Sequence, residues 1–138
     1  MTRSREEIVR DWIELVWNQG QLDRLSDMHP DEWMDNGGEV RLADAQLWHR
    51  QIRSTYPDLH YVIDELFSSD ERVVVRWTAT GTQLGELWGL IPPSGRAVSW
   101  RGIHVLRVEL GRIIEIWAVA DTASLLQQLP VELRPIDG

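Results

Sequence analysis

The second half of the chain alternates apolar and polar residues at a period of two, and this pattern limits the fold more than any other feature. It predicts β-strands at about 59–68, 72–83, 97–109 and 112–120, many of them rich in β-branched residues. The connections between these segments are too short to contain a crossover helix, which parallel neighbours require. We therefore expect a mostly antiparallel sheet.

The first half of the chain carries helical signals instead. A capping-box spacing at Ser4–Glu7 begins a helix with apolar residues at intervals of three and four, and this helix ends near Gly20. Further segments are a helix at 22–28, an extended piece at 32–36, a helix at 42–54 and a short last helix at 122–129. Helices followed by strands predict an α+β fold, in which a bent sheet wraps over the helices.

Length and composition exclude several classes of protein. The 138 residues are expected to form one domain across 1–138, with 131–138 as a loosely held tail. No apolar run approaches the roughly 20 residues that span a bilayer, and the start lacks the apolar stretch of a signal peptide. We therefore expect no membrane association and a cytoplasmic location. The formal charge of -8 opposes nucleic-acid binding, and the absence of cysteine excludes disulfides, thiol catalysis and thiolate metal sites.

Tryptophan is the unusual residue type, with eight copies against two Tyr and one Phe. Most of these side chains are expected to fill the core. An indole ring is also a broad, rigid wall with a single hydrogen-bond donor, which suits a pocket for a flat or polycyclic ligand. The candidates for such a wall are Trp12, Trp77, Trp100 and Trp117.

The last two predicted strands hold an imidazole and a carboxylate in an otherwise apolar hairpin. A two-residue turn at Leu110-Gly111 pairs His104 with Trp117, and Trp100 with Asp121. Because side chains alternate along a strand, all four then project from one face. A turn of three residues breaks this pairing, so the prediction depends on the turn.

Four stretches occur in a consistent order along nearly the whole chain: Tyr56-Pro-Asp-Leu-His60, Val74-Val-Arg-Trp-Thr-Ala-Thr-Gly-Thr82, Gly89-Leu-Ile-Pro-Pro-Ser-Gly-Arg96 and Gly111-Arg-Ile-Ile-Glu-Ile-Trp117, with Asp121 and Leu126-Gln-Gln-Leu129 after them. Together they resemble the SnoaL-like polyketide cyclases of the NTF2-like superfamily. The resemblance implies a cone of curved sheet and helices around a deep pocket, usually in a homodimer formed through the sheet. It also implies intramolecular aldol ring closure of a hydrophobic aromatic or polycyclic small molecule, without a metal or an organic cofactor.

The chemistry of an aldol closure suggests roles for the polar residues. The reaction needs a group that takes a proton from carbon and returns it to oxygen, and Asp121 is the candidate for this shuttle. His104 is the candidate donor to the developing oxyanion, or a partner in the proton transfer. Asp35 and Asn36 match a region where the family often places polar pocket groups. Asn36 and Gln83 are candidates to hold a substrate carbonyl.

Structural roles compete with each of these assignments. Asp121 directly precedes a helix and has the position of an N-cap. The acid that family members carry late in the last strand corresponds either to Asp121 or to the place of Ala118, and in the second case the chain lacks the usual acid. His104 fits a hydrogen-bonded structural role equally well, and Asp35 fits a turn. No metal is expected, since no metal-site spacing occurs at His29, His49 and His60.

Two classes of function are consistent with these patterns. The first is a cofactor-independent enzyme that closes a ring in a polyketide-like or polycyclic small molecule. The second is a non-catalytic protein that holds the same class of ligand in its cavity. An isomerase or hydrolase of the same fold ranks below both, because Arg101-Gly-Ile-His104 lacks the Asp that epoxide-opening relatives carry two residues after an Arg.

Overall fold

The structure, a computed structural model, describes residues 3–132. In this part, the chain forms a mixed arrangement of helices and strands. The helices are α1 (Arg5–Asp11), α2 (Leu25–Met28), α3 (Leu42–Thr55) and α4 (Thr122–Gln127), with a π-helical stretch at Trp12–Asn18 and a 3₁₀ turn at Leu22–Arg24. The strands are β1 (Glu32–Asp35), β2 (Gly38–Arg41), β3 (His60–Ser69), β4 (Arg72–Thr82), β5 (Ala97–Glu109) and β6 (Arg112–Ala120).

All six strands belong to one sheet, in the order β2-β1-β6-β5-β4-β3. Neighbouring strands are antiparallel except β1 and β6, which run parallel. Helix α1, the π-helical stretch and α2 pack against strands of this sheet and share one apolar core with it. The predicted α+β class, with a curved and mostly antiparallel sheet, is confirmed.

No helix within residues 3–132 is long and apolar enough to cross a membrane.

The C-terminal end of the described chain packs against the core. Leu125 and Leu129 are buried beside the sheet, and Val131 packs against the same core. The predicted loose tail at 131–138 lies outside the described residues from 133 onward.

A π-helical stretch replaces the second half of the predicted first helix. Ser4 caps α1 as its spacing predicts, and its Oγ accepts a hydrogen bond from the Glu7 backbone N–H at 3.1 Å. Beyond α1 the helix widens, and Trp12 and Trp17 pack edge to face with ring centroids 5.9 Å apart. π-Helical turns occur frequently at functional sites, and this one brings two indole rings together.

A small hairpin of β1 and β2 forms where the sequence predicted a single extended piece. Its two-residue turn is Asn36-Gly37, and both residues have positive φ, 49° and 83°. Such a turn is of type I′, for which Asn-Gly is the strongest short-range sequence signal. The turn residues alone therefore indicated a second strand. The strand itself gave no signal, because Val40 is its one partly buried residue.

The hairpin of β5 and β6 has the predicted turn but a different register farther from it. The two-residue turn at Leu110-Gly111 is confirmed, because Glu109 pairs with Arg112. A β-bulge then adds Ile114 to β6, so the pairing partners beyond it shift by one residue.

This shift reverses the faces that were predicted for β6, since a slip of one residue moves every side chain to the opposite face. His104 pairs with Ala118, not with Trp117. Trp117 consequently lies on the outer face of the sheet, and Asp121 is exposed beyond the end of β6. The prediction that Trp117 and Asp121 share a face with His104 is wrong. Trp100 and His104 are both buried.

Candidate functional site

A cavity of about 540 Å³ lies between the sheet, the π-helical stretch, α3 and the β1–β2 hairpin. Its wall is built from indole and imidazole rings with a few carboxylate, amide and aliphatic groups. The lining residues are Trp12, Trp17, His29, Trp33, Asp35, Asn36, Val40, Asp44, Ala45, Trp48, His49, His104, Ile116 and Ala118. Trp48 is half-exposed and Asp44 is exposed, which places the mouth of the cavity beside the first half of α3.

His104 is buried in the cavity wall and is held there by a neighbouring indole. The Trp77 Nε1–H donates a hydrogen bond of 2.6 Å to His104 Nδ1. Burial lowers the pKa of His104 to about 4, so the ring is neutral near pH 7. Because Nδ1 accepts, the proton of the neutral ring is on Nε2. His104 therefore offers the cavity a hydrogen-bond donor.

Gly102 makes the contact between Trp77 and His104 possible. A Cβ at this position would lie 2.7 Å from the Val119 carbonyl oxygen and would collide with the Trp77 ring. The absence of a side chain lets the indole lie across β5, where its N–H reaches the imidazole two residues farther along.

Asp35 is the half-buried carboxylate of the wall. Trp33 and Asp35 are two residues apart on β1, so both side chains point to the cavity face, and Asp35 lies beside Ile116 of the parallel strand β6. The carboxylate of Asp35 makes no hydrogen bond or ion pair with another described residue. Burial raises its pKa. A carboxylate in such surroundings takes up and releases a proton closer to neutral pH than one in water.

Two further histidines, His29 and His49, stand in the same wall, although sequence reasoning assigned them no role. His29 follows α2, stacks on Trp33 at 3.9 Å between ring centroids, and hydrogen-bonds through Nδ1 to the Ile113 carbonyl at 3.0 Å. His49 lies on the inner face of α3, 4.5 Å from the Trp17 ring. Burial lowers the pKa of each to about 4. The apolar spacing of α3 indicated that His49 points inward, but not which rings it would meet.

Asp121 lies outside the cavity and has the structural role that its position before a helix suggested. Its carboxylate accepts a hydrogen bond from the Ser124 backbone N–H at 3.0 Å and so caps α4. On β6 the cavity-facing residues are instead Ile116 and Ala118. Strand β6 therefore supplies no carboxylate to the cavity.

Three other predicted site residues also lie away from the cavity wall. Trp77 stands behind His104, and Trp100 packs on Tyr56 at 5.0 Å between ring centroids. Gln83 is fully buried in the loop after β4. Its amide N–H donates to the carbonyls at 85 and 92, and its Oε1 accepts from Ser94 Oγ at 2.6 Å. These bonds hold the loop and leave Gln83 no role in ligand contact.

Asn36 lines the cavity, but its side-chain oxygen and its backbone N–H are both hydrogen-bonded to backbone groups of β6. Its Oδ1 accepts a hydrogen bond from the Ala118 N–H at 2.8 Å, and its own N–H donates to the Ile116 carbonyl at 2.8 Å. The residue thus joins the β1–β2 turn to β6. Among residues 3–132, no group of three or more His, Asp or Glu side chains is arranged to hold a metal ion.

Comparison with known proteins identifies the class to which this fold and cavity belong. The family model described as SnoaL-like polyketide cyclase matches residues 7–129, and the chain belongs to this family. Its architecture is the NTF2-like fold. No curated protein shows a significant match to the chain.

Solved structures share this architecture over almost the whole chain. TsrD from Streptomyces laurentii is 25% identical with a TM-score of 0.82, covering 94% of this chain and 98% of its own. AclR, a candidate hydroxylase from Streptomyces galilaeus, is 28% identical with a TM-score of 0.77, covering 89% and 92%. A SnoaL-like polyketide cyclase from Agrobacterium tumefaciens is 21% identical with a TM-score of 0.81, covering 92% and 98%.

Proposed function

We propose that this protein closes a ring in a polyketide-like or polycyclic small molecule by acid–base catalysis in the tryptophan-walled cavity, without a cofactor. The observation that carries the proposal is Asp35, an unpaired and half-buried carboxylate in the same wall as the imidazole donor of His104. A cavity of about 540 Å³ is within the usual size of sites for small organic ligands.

The reaction is an intramolecular aldol addition in which Asp35 carries the proton. The carboxylate removes a proton from a carbon flanked by carbonyl groups, and the Nε2–H of His104 donates to the enolate oxygen that forms. The enolate carbon bonds to a second carbonyl carbon of the same molecule. The carboxyl group of Asp35 then returns its proton to the new alkoxide, so the carboxylate is restored and no atom is lost.

The wall indoles favour a ligand that is flat and rich in oxygen. The indole N–H groups of Trp12, Trp17 and Trp33 are buried and have no acceptor among the described residues. Each unpaired donor costs about 1–3 kcal/mol. A small rotation of a ring toward a ligand carbonyl or hydroxyl oxygen would recover part of that cost, while the ring faces cover the apolar skeleton of the ligand.

Two carboxylate variants test the role of Asp35. Incubation with a panel of tricyclic poly-β-ketone esters is followed by liquid chromatography and mass spectrometry, because ring closure keeps the mass and changes the retention and absorbance. We expect Asp35→Asn to reduce the rate about 100-fold or more, the usual contribution of a general base. Asp121→Asn is the matched control and should keep nearly full activity. Loss of activity in Asp121→Asn with full activity in Asp35→Asn contradicts the assignment.

A non-catalytic ligand carrier is the second candidate function, and it is favoured by Ala118. The last cavity-facing residue of β6 has no acid–base group, and the nearby Asp121 is turned away. If the protein is a carrier, binding of the poly-β-ketone esters should quench its tryptophan fluorescence. Each ester should then be recovered unchanged. Product formation that depends on Asp35 excludes this function.

We further propose a homodimer in which two copies pack through the outer face of the sheet. One row across four strands joins Phe67, Val74, Val105 and Trp117. Phe67 and Trp117, at the two ends of this row, are each 49% exposed, and together with the two valines between them they form an apolar strip on the outer face. Trp117→Glu should give a monomer by light scattering, whereas Leu90→Glu, which changes an exposed loop residue, should not. A monomeric wild-type protein at micromolar concentration rules the dimer out.

A further inference from the structure

His29 has one ring nitrogen fixed by the backbone and one left to the cavity. Its Nδ1 is 3.0 Å from the Ile113 carbonyl oxygen, which can only accept, so Nδ1 carries the proton of the neutral ring. No described residue hydrogen-bonds to Nε2, and this atom is not sealed in the interior as the indole nitrogens of Trp12, Trp17 and Trp33 are. The lone pair of Nε2 is therefore free to accept a hydrogen bond.

His104 carries the opposite arrangement. Its Nδ1 accepts from Trp77, which leaves a proton on Nε2. The two imidazoles lie against the same indole, because the Trp12 ring centroid is 6.5 Å from that of His29 and 5.4 Å from that of His104. The cavity wall thus presents an imidazole acceptor and an imidazole donor that both pack near one indole ring.

We propose that His29 is a ligand-binding residue whose Nε2 accepts a hydrogen bond from a hydroxyl or enol group, while His104 donates to a carbonyl oxygen of the same molecule. The inference rests on the proposed use of this cavity, and it narrows the ligand to a polycycle that carries both a hydroxyl donor and a carbonyl acceptor. An enolised β-diketone and a hydroxyketone have this pattern. Because the Nε2 of His29 accepts a hydrogen bond from the enol O–H, His29 assists Asp35 by orienting the enol group.

The surroundings keep both rings neutral, which the opposite tautomers require. Burial lowers the pKa of His29 and of His104 to about 4. His49 shares the cavity, and its pKa is lowered by burial first and then by the neighbouring His29, Arg53 and His104. Asp35 and Asp44 are the carboxylates of the described wall. At pH 7 the difference between His29 and His104 therefore comes from their hydrogen-bond partners.

The tautomers can be read directly from the wild-type protein. Long-range ¹H–¹⁵N spectra distinguish a ring protonated at Nδ1 from one protonated at Nε2. We expect His29 in the first form and His104 in the second. Addition of 2-(hydroxymethyl)anthraquinone should shift the unprotonated Nε2 of His29. A ring protonated at Nε2, or an Nε2 that does not respond to the bound ligand, overturns the proposal.

Two substitutions separate binding by His29 from its structural role. The amide of His29→Asn can keep the bond to the Ile113 carbonyl but has no group at the place of Nε2, whereas His29→Gln reaches the Nε2 place with an amide oxygen. The probes are 2-(hydroxymethyl)anthraquinone and 2-methylanthraquinone, which differ in one hydroxyl group. Their affinities are measured by quenching of tryptophan fluorescence.

Wild type should bind the hydroxymethyl probe about threefold to tenfold more tightly than the methyl probe, the usual worth of one hydrogen bond. His29→Asn should bring this ratio near one, and His29→Gln should restore part of it. An unchanged ratio in His29→Asn, or failure of both probes to bind wild type, overturns the inference. The ratio of the two probe affinities does not depend on turnover. If the wild-type protein is inactive and the ratio still falls in His29→Asn, the cyclase reaction is refuted and the binding role of His29 stands.

Discussion

Replacement of Gly102 by Ala tests whether the donor in the cavity depends on the close approach of Trp77 to β5. The added methyl group would stand 2.7 Å from the Val119 carbonyl oxygen, which is backbone and cannot turn aside, and within the space of the Trp77 ring. The strand must therefore bend or the indole must move. Either change separates the Trp77 Nε1–H from His104 Nδ1, now 2.6 Å apart.

The expected loss of stability follows from these two effects. Overpacking of a filled core costs about 1–3 kcal/mol. The broken hydrogen bond adds about 0.5–1.5 kcal/mol, the net contribution of a typical intramolecular hydrogen bond. We expect the free energy of unfolding to fall by about 2–4 kcal/mol, which is a large part of the roughly 5–15 kcal/mol of a typical domain. Urea unfolding followed by tryptophan fluorescence measures the change.

Gly38→Ala is the matched control for this substitution. A Cβ at residue 38 would meet the Asp35 carbonyl oxygen at 3.7 Å, which is ordinary contact, and the backbone there does not have positive φ. Its free energy of unfolding should stay within about 0.5 kcal/mol of wild type. If Gly102→Ala is as stable as this control and His104 keeps its proton on Nε2, the reasoning about Trp77 is refuted.

Two further predictions concern charge. Burial keeps the pKa of His29, His49 and His104 near 4 in the folded state, against 6.5 for the free side chain. Between these two values the unfolded chain binds more protons than the folded protein. The free energy of unfolding should therefore decrease as the pH falls from about 6.5 toward 4. Urea unfolding at several pH values checks this, and a stability that is constant over that range contradicts it. The described wall has Asp35 and Asp44 but no Lys or Arg, so anthraquinone-2-carboxylate should bind several-fold more weakly than 2-(hydroxymethyl)anthraquinone, by a Coulomb cost on the order of 1 kcal/mol. Asp44→Asn should narrow this difference, and equal affinities in wild type would contradict the argument.

Local patterns in the sequence were sufficient for most of the fold, because each element has its own signal. The capping box begins α1, and the period-two alternation marks β3 to β6 close to their observed ends. The family resemblance, which rests on ordered local motifs, is confirmed by the match over residues 7–129. The missed strand β2 and the π-helical stretch share one cause, since a four-residue strand with one partly buried residue and a widened helix leave no distinct periodicity.

The residues that line the cavity were harder to predict from the sequence, because they depend on where distant segments of the chain meet. His29, His49 and His104 come from three distant parts of the chain, and no spacing between them reflects the contact that each makes with Trp12 or Trp17. Such a cluster has no local signature. Four residues that the sequence suggested do lie in the wall: Trp12 from the tryptophan content, His104 from the hairpin, and Asp35 and Asn36 from the family resemblance.

The bulge at Ile114 decides which strand places a carboxylate in the cavity wall. In the register without it, Trp117 and Asp121 would share the face of His104, and a carboxylate on the last strand would serve the cavity. With the extra residue, Ile116 and Ala118 face inward, and Trp117 turns to the outer surface. Because β1 pairs in parallel with β6 at Ile116, Asp35 is the inward carboxylate beside this strand. One inserted residue, with no compositional signature of its own, thus leaves β1 and not β6 to supply the carboxylate for which we propose catalysis. It also leaves an indole on the outer face, where we propose contact between copies.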